Sequence, residues 1–128
     1  VDTSFIYALA LEEDPNHLRA TEFHEVYDGE LVTGIFVVAE TMSLITKRRG
    51  KPRALVVADE MIAAAHVGVL YPNGRDVRGA WTEFSRYPDW DFDLVDAISF
   101  ALMRRENIDA ALTFDHHFAQ MGFITLPD

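Results

Sequence analysis

Short apolar segments alternate with longer helical ones along this chain, and that alternation constrains the fold more than any other feature. The strand-like segments are ELVT at 30–33, VGVLY at 67–71, AALTF at 110–114 and FITL at 123–126. Strands that are joined through helices pair in parallel and are buried on both faces. The pattern therefore predicts an α/β fold in which helices cover both faces of a parallel sheet.

Helix ends are marked by capping and stop residues. Asp14 and Pro15 suit the first turn of a helix that Gly29 ends, and Gly50 ends a second apolar helix that covers 36–50. Further helices are predicted after Asp2 and over residues 52–66, 73–86 and 93–107.

Length and composition narrow the class of protein. The 128 residues suit one domain over 1–128, and the chain has no cysteine and a net charge of −10. No signal peptide is visible, and apolar runs are far shorter than the ~20 residues of a membrane span. We expect a cytoplasmic protein with no membrane association that is not a general nucleic-acid coat.

A basic run interrupts this acidic chain. The segment KRRGKPR at 47–53 holds five of the eleven lysines and arginines, among them Lys47, Arg48 and Arg49. Such a run is usually a solvated helix end, and the alternative is a patch that binds phosphate or a partner. The residues alone leave both interpretations open.

Acidic residues follow two of the predicted strand ends. The segment VDTSFIYALA at 1–10 is typical of a strand end that turns into a short helix, with Asp2 at the turn, and Asp115 comes just after AALTF. In parallel sheets, ligands bind outside the carboxyl ends of the strands, so both side chains should lie near one rim. Taken singly, Asp2 could cap its helix and Asp115 could be an ordinary turn residue.

Other acidic residues lie within apolar helices. Glu40 has Phe36, Val37 and Leu44 one turn away, which places it on or beside the buried stripe. Asp93 is well placed as the N-cap of the helix FDLVDAISFALMRR, and Asp96 then occupies its first turn. For Asp96, capping and function are both open.

Four carboxylates at one sheet edge would repel one another unless protons, basic side chains or a metal ion compensate them. Oxygen ligands without cysteine favour a hard cation such as Mg²⁺ or Mn²⁺. A sparse carboxylate site of this kind suits phosphoryl chemistry.

Four stretches of the sequence resemble the PIN domain, and in particular the VapC-like toxins of bacterial and archaeal toxin–antitoxin systems. They are VDTSF at the start, AE in the third helix, DLVDAISFALMRR and TFDHHF. The resemblance implies a three-layer α/β/α fold with a central parallel sheet of about four or five strands. It also implies a Mg²⁺- or Mn²⁺-dependent endoribonuclease that hydrolyses RNA phosphodiesters to a 5′-phosphate and a 3′-hydroxyl.

Motif match carries the family's site onto particular residues. The acidic quartet falls on Asp2, Glu40, Asp96 and Asp115. The resemblance implies that Asp2 and Asp96 are the most direct metal ligands, and that the other two complete the pocket directly or through water. Ser4 and Thr113 match positions that support the site by hydrogen bonds.

The resemblance also implies partners. These are an RNA substrate, with Lys47, Arg48 and Arg49 as candidate contacts, a cognate antitoxin protein and a second copy of the chain in a homodimer. The alternatives are a housekeeping PIN nuclease of RNA processing or decay, or a non-catalytic PIN-type binding module. A phosphoacceptor receiver domain fits poorly because no lysine follows Lys51.

His116 and His117 lie beside Asp115, which suggests a metal or catalytic site. No third ligand has helpful spacing, so we expect this pair to face solvent or to cap a turn.

Overall fold

The computed structural model describes residues 1–63 and 67–128. Helices and short strands alternate as the sequence predicts. In chain order, the elements are α1 (Thr3–Ala10), α2 (His17–Val26), β1 (Leu31–Gly34), α3 (Ile35–Arg49), α4 (Lys51–Ala58), a π-helical turn (Asp59–Ala63), β2 (Val67–Leu70), α5 (Gly74–Arg86), α6 (Leu94–Arg105), β3 (Ala110–Leu112), α7 (His117–Gln120) and β4 (Ile124–Leu126).

The strands pair in parallel, as predicted, but in two separate pairs. β1 pairs with β2 and β3 pairs with β4. Val1 and Asp2 lie between the pairs: the Val1 amine donates to the Val32 carbonyl at 2.6 Å, and the Asp2 N–H donates to the Leu112 carbonyl at 2.9 Å. The expected continuous sheet of about four or five strands is thus two short ladders in the described residues, joined by this dipeptide.

Helices cover both faces of the strands, as expected of a three-layer fold. On β3, Ala111 packs into an apolar cluster with α5, α6 and α7, while Leu112 packs with α1 and α2. Neighbouring residues of a strand point to opposite faces, so β3 has a helical layer on each side. A third cluster joins α1, α3 and α4 around Ile6, Val37 and Ile45.

Two helices begin with the same capping device. In α5, Asn73 Oδ1 accepts the Asp76 N–H at 2.9 Å, and Asp76 Oδ2 accepts the Asn73 N–H at 2.8 Å. Asp93 and Asp96 form the corresponding reciprocal pair at α6. Each box satisfies N–H groups that a helix start leaves unpaired. Asp76 also forms an ion pair with Arg105, from the last turn of α6.

Several predicted boundaries were wrong by a turn or less. Helix α2 begins at His17 and not at Asp14, because Asp14 Oδ1 accepts the Asn16 N–H at 2.8 Å in a preceding turn. The predicted helix 52–66 ends as a π-helical turn, and its residues 64–66 lie outside the described part of the chain. The short helix α7 was not predicted.

No helix in the described ranges combines the length and the apolar character that crossing a bilayer requires.

Candidate active site

Asp2 is held in place by hydroxyl groups from two parts of the chain. It caps α1, and its buried Oδ2 accepts hydrogen bonds at 2.9 Å from Ser4 Oγ and from Thr113 Oγ1. Ser4 Oγ accepts the Phe114 N–H, and Thr113 Oγ1 accepts the Asp115 N–H, both at 2.9 Å. These hydroxyls therefore connect the start of α1 to the segment that follows β3.

Asp96 combines a cap with a place in the cleft. Asp93 Oδ1 accepts the Asp96 N–H at 2.9 Å, and Asp96 Oδ2 accepts the Asp93 N–H at 3.0 Å. The N-cap predicted for Asp93 is thus present. Asp96 is buried at 8% exposure and also lines the acidic cleft, so capping and a place in the site coexist in one side chain.

Asp115 and Glu40 reach the same cleft from different elements. Asp115 follows β3, and its Oδ1 accepts the His117 N–H at 3.0 Å. Glu40 is half-buried on α3, as its apolar neighbours predicted, and its carboxylate is close enough to Asp2 and Asp115 to interact electrostatically. The cleft has a volume of about 390 Å³ and brings together the four predicted carboxylates, Asp2, Glu40, Asp96 and Asp115.

The surroundings of Asp2, Glu40 and Asp96 favour the neutral form of these three carboxyl groups. Burial raises the pKa of Asp2, and burial likewise raises the pKa of Glu40 against the opposing effect of the nearby Thr3 hydroxyl. For Asp96, burial and then the neighbouring carboxylates raise the pKa to about 7. The effects that oppose these shifts are hydrogen bonds from neighbouring hydroxyl and backbone groups, and a bound cation would favour the charged carboxylates further.

His117 is the residue that the sequence interpretation placed wrongly. It is buried at 9% exposure, with Nε2 2.6 Å from Asp91 Oδ1 and Nδ1 2.7 Å from Asp115 Oδ1. Burial lowers the pKa of His117, but the carboxylates of Asp91 and Asp115 outweigh burial and raise it above the ordinary 6.5. His116 is exposed, as expected of a turn residue.

The contact between His117 and Asp91 was not predicted, because the tertiary fold brings together two residues that are far apart in the sequence. The available signal was the spacing DHH, which lets the His117 N–H return to the Asp115 carboxylate. Nothing local in the sequence indicates that Asp91, before α6, reaches the same ring.

One residue of the basic run, Arg48, lies at the cleft. Arg48 lines the cleft, donates to Tyr7 Oη at 3.0 Å and lies over the Tyr7 ring. Arg49 forms an ion pair with Glu13 on the surface, and Lys47 is exposed. Of these three candidate RNA contacts, Arg48 is thus the one that lines the cleft.

The donor set fits a divalent cation. Asp96, Asp115 and His117 each offer a ligand atom, and these atoms lie within 4.8 Å of one another. A second combination, Asp91 with His116 and His117, is more exposed. Carboxylate oxygens and an imidazole nitrogen are both ordinary ligands of such ions.

The chain belongs to the PIN domain family, whose model matches residues 1–124. The resemblance deduced from the sequence motifs is therefore confirmed, and with it the α/β class of the fold. PIN domain nucleases hydrolyse RNA and generally depend on a divalent metal ion.

Particular relatives narrow the relationship. The chain is 33% identical over 124 residues to the 23S rRNA-specific endonuclease VapC20 of Mycobacterium tuberculosis, from strains CDC 1551 and H37Rv. That match covers 97% of this chain and 94% of the relative. The crystal structure of VapC20, described as a sarcin–ricin loop cleaving toxin, superimposes with a TM-score of 0.90 at 30% identity, over 96% of this chain and 94% of the other. The chain is thus homologous to a VapC toxin.

Proposed function

We propose that residues 1–128 form one nuclease domain, a Mg²⁺- or Mn²⁺-dependent endoribonuclease that is the toxin of a VapBC-type pair. The observation that carries the proposal is the convergence of Asp2, Glu40, Asp96 and Asp115 on one cleft. The raised pKa of Asp96, to about 7, supports it, because a cation would favour the charged carboxylate.

The four carboxylates fall into two pairs by their proposed roles. Asp2 and Asp96 would hold the ion most directly, since both are buried and fixed by hydrogen bonds. A divalent ion bound there would act as a Lewis acid toward the phosphate. Glu40 and Asp115 complete the pocket, and one of them accepts the proton of the attacking water. Ser4 and Thr113 keep Asp2 in position.

The proposed substrate is a short, structured RNA loop. The relatives cleave 23S rRNA, and the solved one is described as cleaving the sarcin–ricin loop. A net charge of −10 disfavours long non-specific contacts, because the phosphate backbone would be repelled over most of the surface. Arg48 at the cleft, with Lys47 and Arg49 on the same helix end, supplies local positive charge for the RNA backbone.

The proposed protein partners follow from the relationship to VapC toxins. A cognate VapB-type antitoxin with a basic side chain would complement the acidic cleft, and a second copy of the chain would form a homodimer. A ribosomal RNA target would place the protein in the cytoplasm.

Cleavage of a sarcin–ricin hairpin by the purified chain tests the activity. We expect cutting with Mg²⁺ or Mn²⁺, none with a chelator, and a loss of at least about 100-fold in Asp96→Asn, because a ligand that acts on the reacting charge contributes several kcal/mol. Asp28→Asn, which changes an exposed acidic residue, is the matched control and should cut normally. Cleavage that persists in Asp96→Asn would refute the proposal.

Expression in growing cells separates a toxin from a housekeeping nuclease. The wild-type chain should arrest growth and Asp96→Asn should not. RNA ends should map to one loop with a 5′-phosphate. Harmless expression of a chain that cleaves RNA in vitro would favour the housekeeping alternative. A folded chain that binds metal and cleaves nothing would favour the binding module.

A further inference from the structure

His117 has one ring nitrogen engaged and the other aimed into the acidic cleft. Nε2 lies 2.6 Å from Asp91 Oδ1. Nδ1 is fully shielded from solvent and has no hydrogen bond of acceptable geometry among the described residues. It points at Asp115 Oδ1, 2.7 Å away, and at Asp96 Oδ2, 3.5 Å away. A buried nitrogen that faces two carboxylates needs either a proton of its own or a cation beside it.

Asp91 fixes which nitrogen carries the hydrogen. An ionised carboxylate only accepts hydrogen bonds, so Nε2 must be the donor in this contact. In the neutral ring, Nδ1 then holds the lone pair. A lone pair and a carboxylate oxygen at 2.7 Å repel one another unless a proton or a metal cation lies between them. The carboxylate–histidine arrangement is also the one that commonly orients a histidine toward a metal.

The spacing suits shared coordination. Adjacent ligands of an octahedral ion with bonds of about 2.1 Å lie about 3 Å apart. The separations of Nδ1 from the two carboxylate oxygens, 2.7 and 3.5 Å, bracket that value. The Asp115 carboxylate is fixed relative to the ring, because its Oδ1 also accepts the His117 N–H.

We propose that His117 Nδ1 is a ligand of the divalent cation, together with Asp96 and Asp115, and that Asp91 orients it. This inference rests on the proposed function and refines its metal site, because it adds Asp115 and His117 to the ligands Asp2 and Asp96 and leaves Glu40 as the proton acceptor. Imidazole nitrogen is a better ligand for Mn²⁺ than for Mg²⁺, which prefers oxygen. The site therefore binds Mn²⁺ in preference to Mg²⁺, and His117 supplies that preference.

The test uses the full chain, freed of metal with a chelator and then loaded with Mn²⁺. Pulsed electron paramagnetic resonance of the bound ion should show coupling to a directly bonded nitrogen. His117→Gln should lose the coupling and weaken Mn²⁺ binding by about 10-fold or more, with a smaller effect on Mg²⁺. His116→Asn, at the exposed neighbouring ring, is the matched control and should retain both.

Asp91→Ala provides a second variant in case His117→Gln does not fold. Asp91 is exposed, so its removal should leave the fold intact while weakening Mn²⁺ binding by about 10-fold. Absence of nitrogen coupling in the wild type, or its persistence in His117→Gln, would overturn the proposal. Equal losses in His116→Asn would instead assign the ion to the exposed group of Asp91, His116 and His117, and would overturn it as well.

The two proposals fail separately. Metal-dependent RNA cleavage without nitrogen coupling would remove His117 from the site and leave the nuclease intact. Nitrogen-coupled Mn²⁺ in a chain that cleaves no RNA would retain the ligand and remove the activity.

Discussion

Asp96 takes part in two arrangements that shift its pKa in opposite directions. As the third residue of the α6 capping box, it accepts a backbone N–H at 3.0 Å, which favours the charged carboxylate. As a wall of the cleft it is buried beside Asp93, Asp2 and Asp115, and burial first, then these charges, raises its pKa to about 7. In the metal-free protein, burial and the neighbouring carboxylates outweigh the effect of the capping hydrogen bond.

Stability should therefore depend on pH through Asp96. The pKa of Asp96 is about 7 in the folded protein, above the ordinary 3.8. Its contribution to the free energy of unfolding is therefore fully present below pH 3.8 and is lost as the pH rises through 7. Asp96→Asn should stabilise the metal-free protein by at least about 1 kcal/mol at pH 8, or about 3 °C, and by much less at pH 4.5. Thermal unfolding at both pH values measures this. Equal shifts at the two pH values would contradict it.

Thr113 joins the Asp2 carboxylate to the backbone of Asp115. Its hydroxyl donates to Asp2 Oδ2 and accepts the Asp115 N–H, each at 2.9 Å. Thr113→Val keeps the shape but leaves a buried carboxylate short of a donor and an N–H unpaired. We expect a stability loss of about 1–3 kcal/mol and metal binding weakened by about 10-fold. Denaturant unfolding and metal titration test this, with the exposed Thr82→Val as control.

The elements of the fold differ in how far the sequence could predict them. The reciprocal pairing of Asp93 with Asp96 is local, so capping chemistry located the start of α6. The one-turn helix α7 has too little periodicity to be detected, and the Asp14 carboxylate serves a turn before α2. The motif match identified the four carboxylates that line the cleft. The predicted strand ends indicated that Asp2 and Asp115 lie near the same edge of the sheet. The contact of Asp91 with His117 joins positions with no shared local pattern.

Gly50 connects α3 to α4 in a conformation that other residues rarely adopt, with φ 87° and ψ 160°. Gly50→Ala should destabilise the protein by about 1–3 kcal/mol through backbone strain. Gly79 is the matched control, because it lies within α5 and an added methyl group would meet nothing within 4 Å. Gly79→Ala should stabilise by about 0.5–1 kcal/mol. Unfolding in denaturant distinguishes the two, and a loss in both variants would be contrary to expectation.

The overall charge of the protein governs its encounter with RNA. A protein of net charge −10 repels a polyanion except where arginine and lysine are concentrated. The end of α3 is such a place, and Arg48 lies where that charge meets the cleft.

Arg48→Gln should lower kcat/KM for RNA cleavage about 10-fold at low salt and make its salt dependence shallower by about one unit of logarithmic slope. The measurement is kcat/KM over a range of salt concentrations. Arg86→Gln, an exposed change at the end of α5, is the control and should alter neither quantity. An unchanged salt slope in Arg48→Gln would exclude this arginine as an RNA contact.

Among the described residues, the same capping box begins two helices, α5 and α6, but its acidic residue has different neighbours in each. At α5 the acidic member, Asp76, is neutralised from within by Arg105, whereas in the described part of the chain Asp96 has no arginine or lysine within ion-pairing distance. The charge of Asp76 is thus balanced within the protein, whereas that of Asp96 depends on ions from the solution. The stability of the start of α5 should therefore be independent of the concentration of dissolved cations, while that of the start of α6 should depend on it.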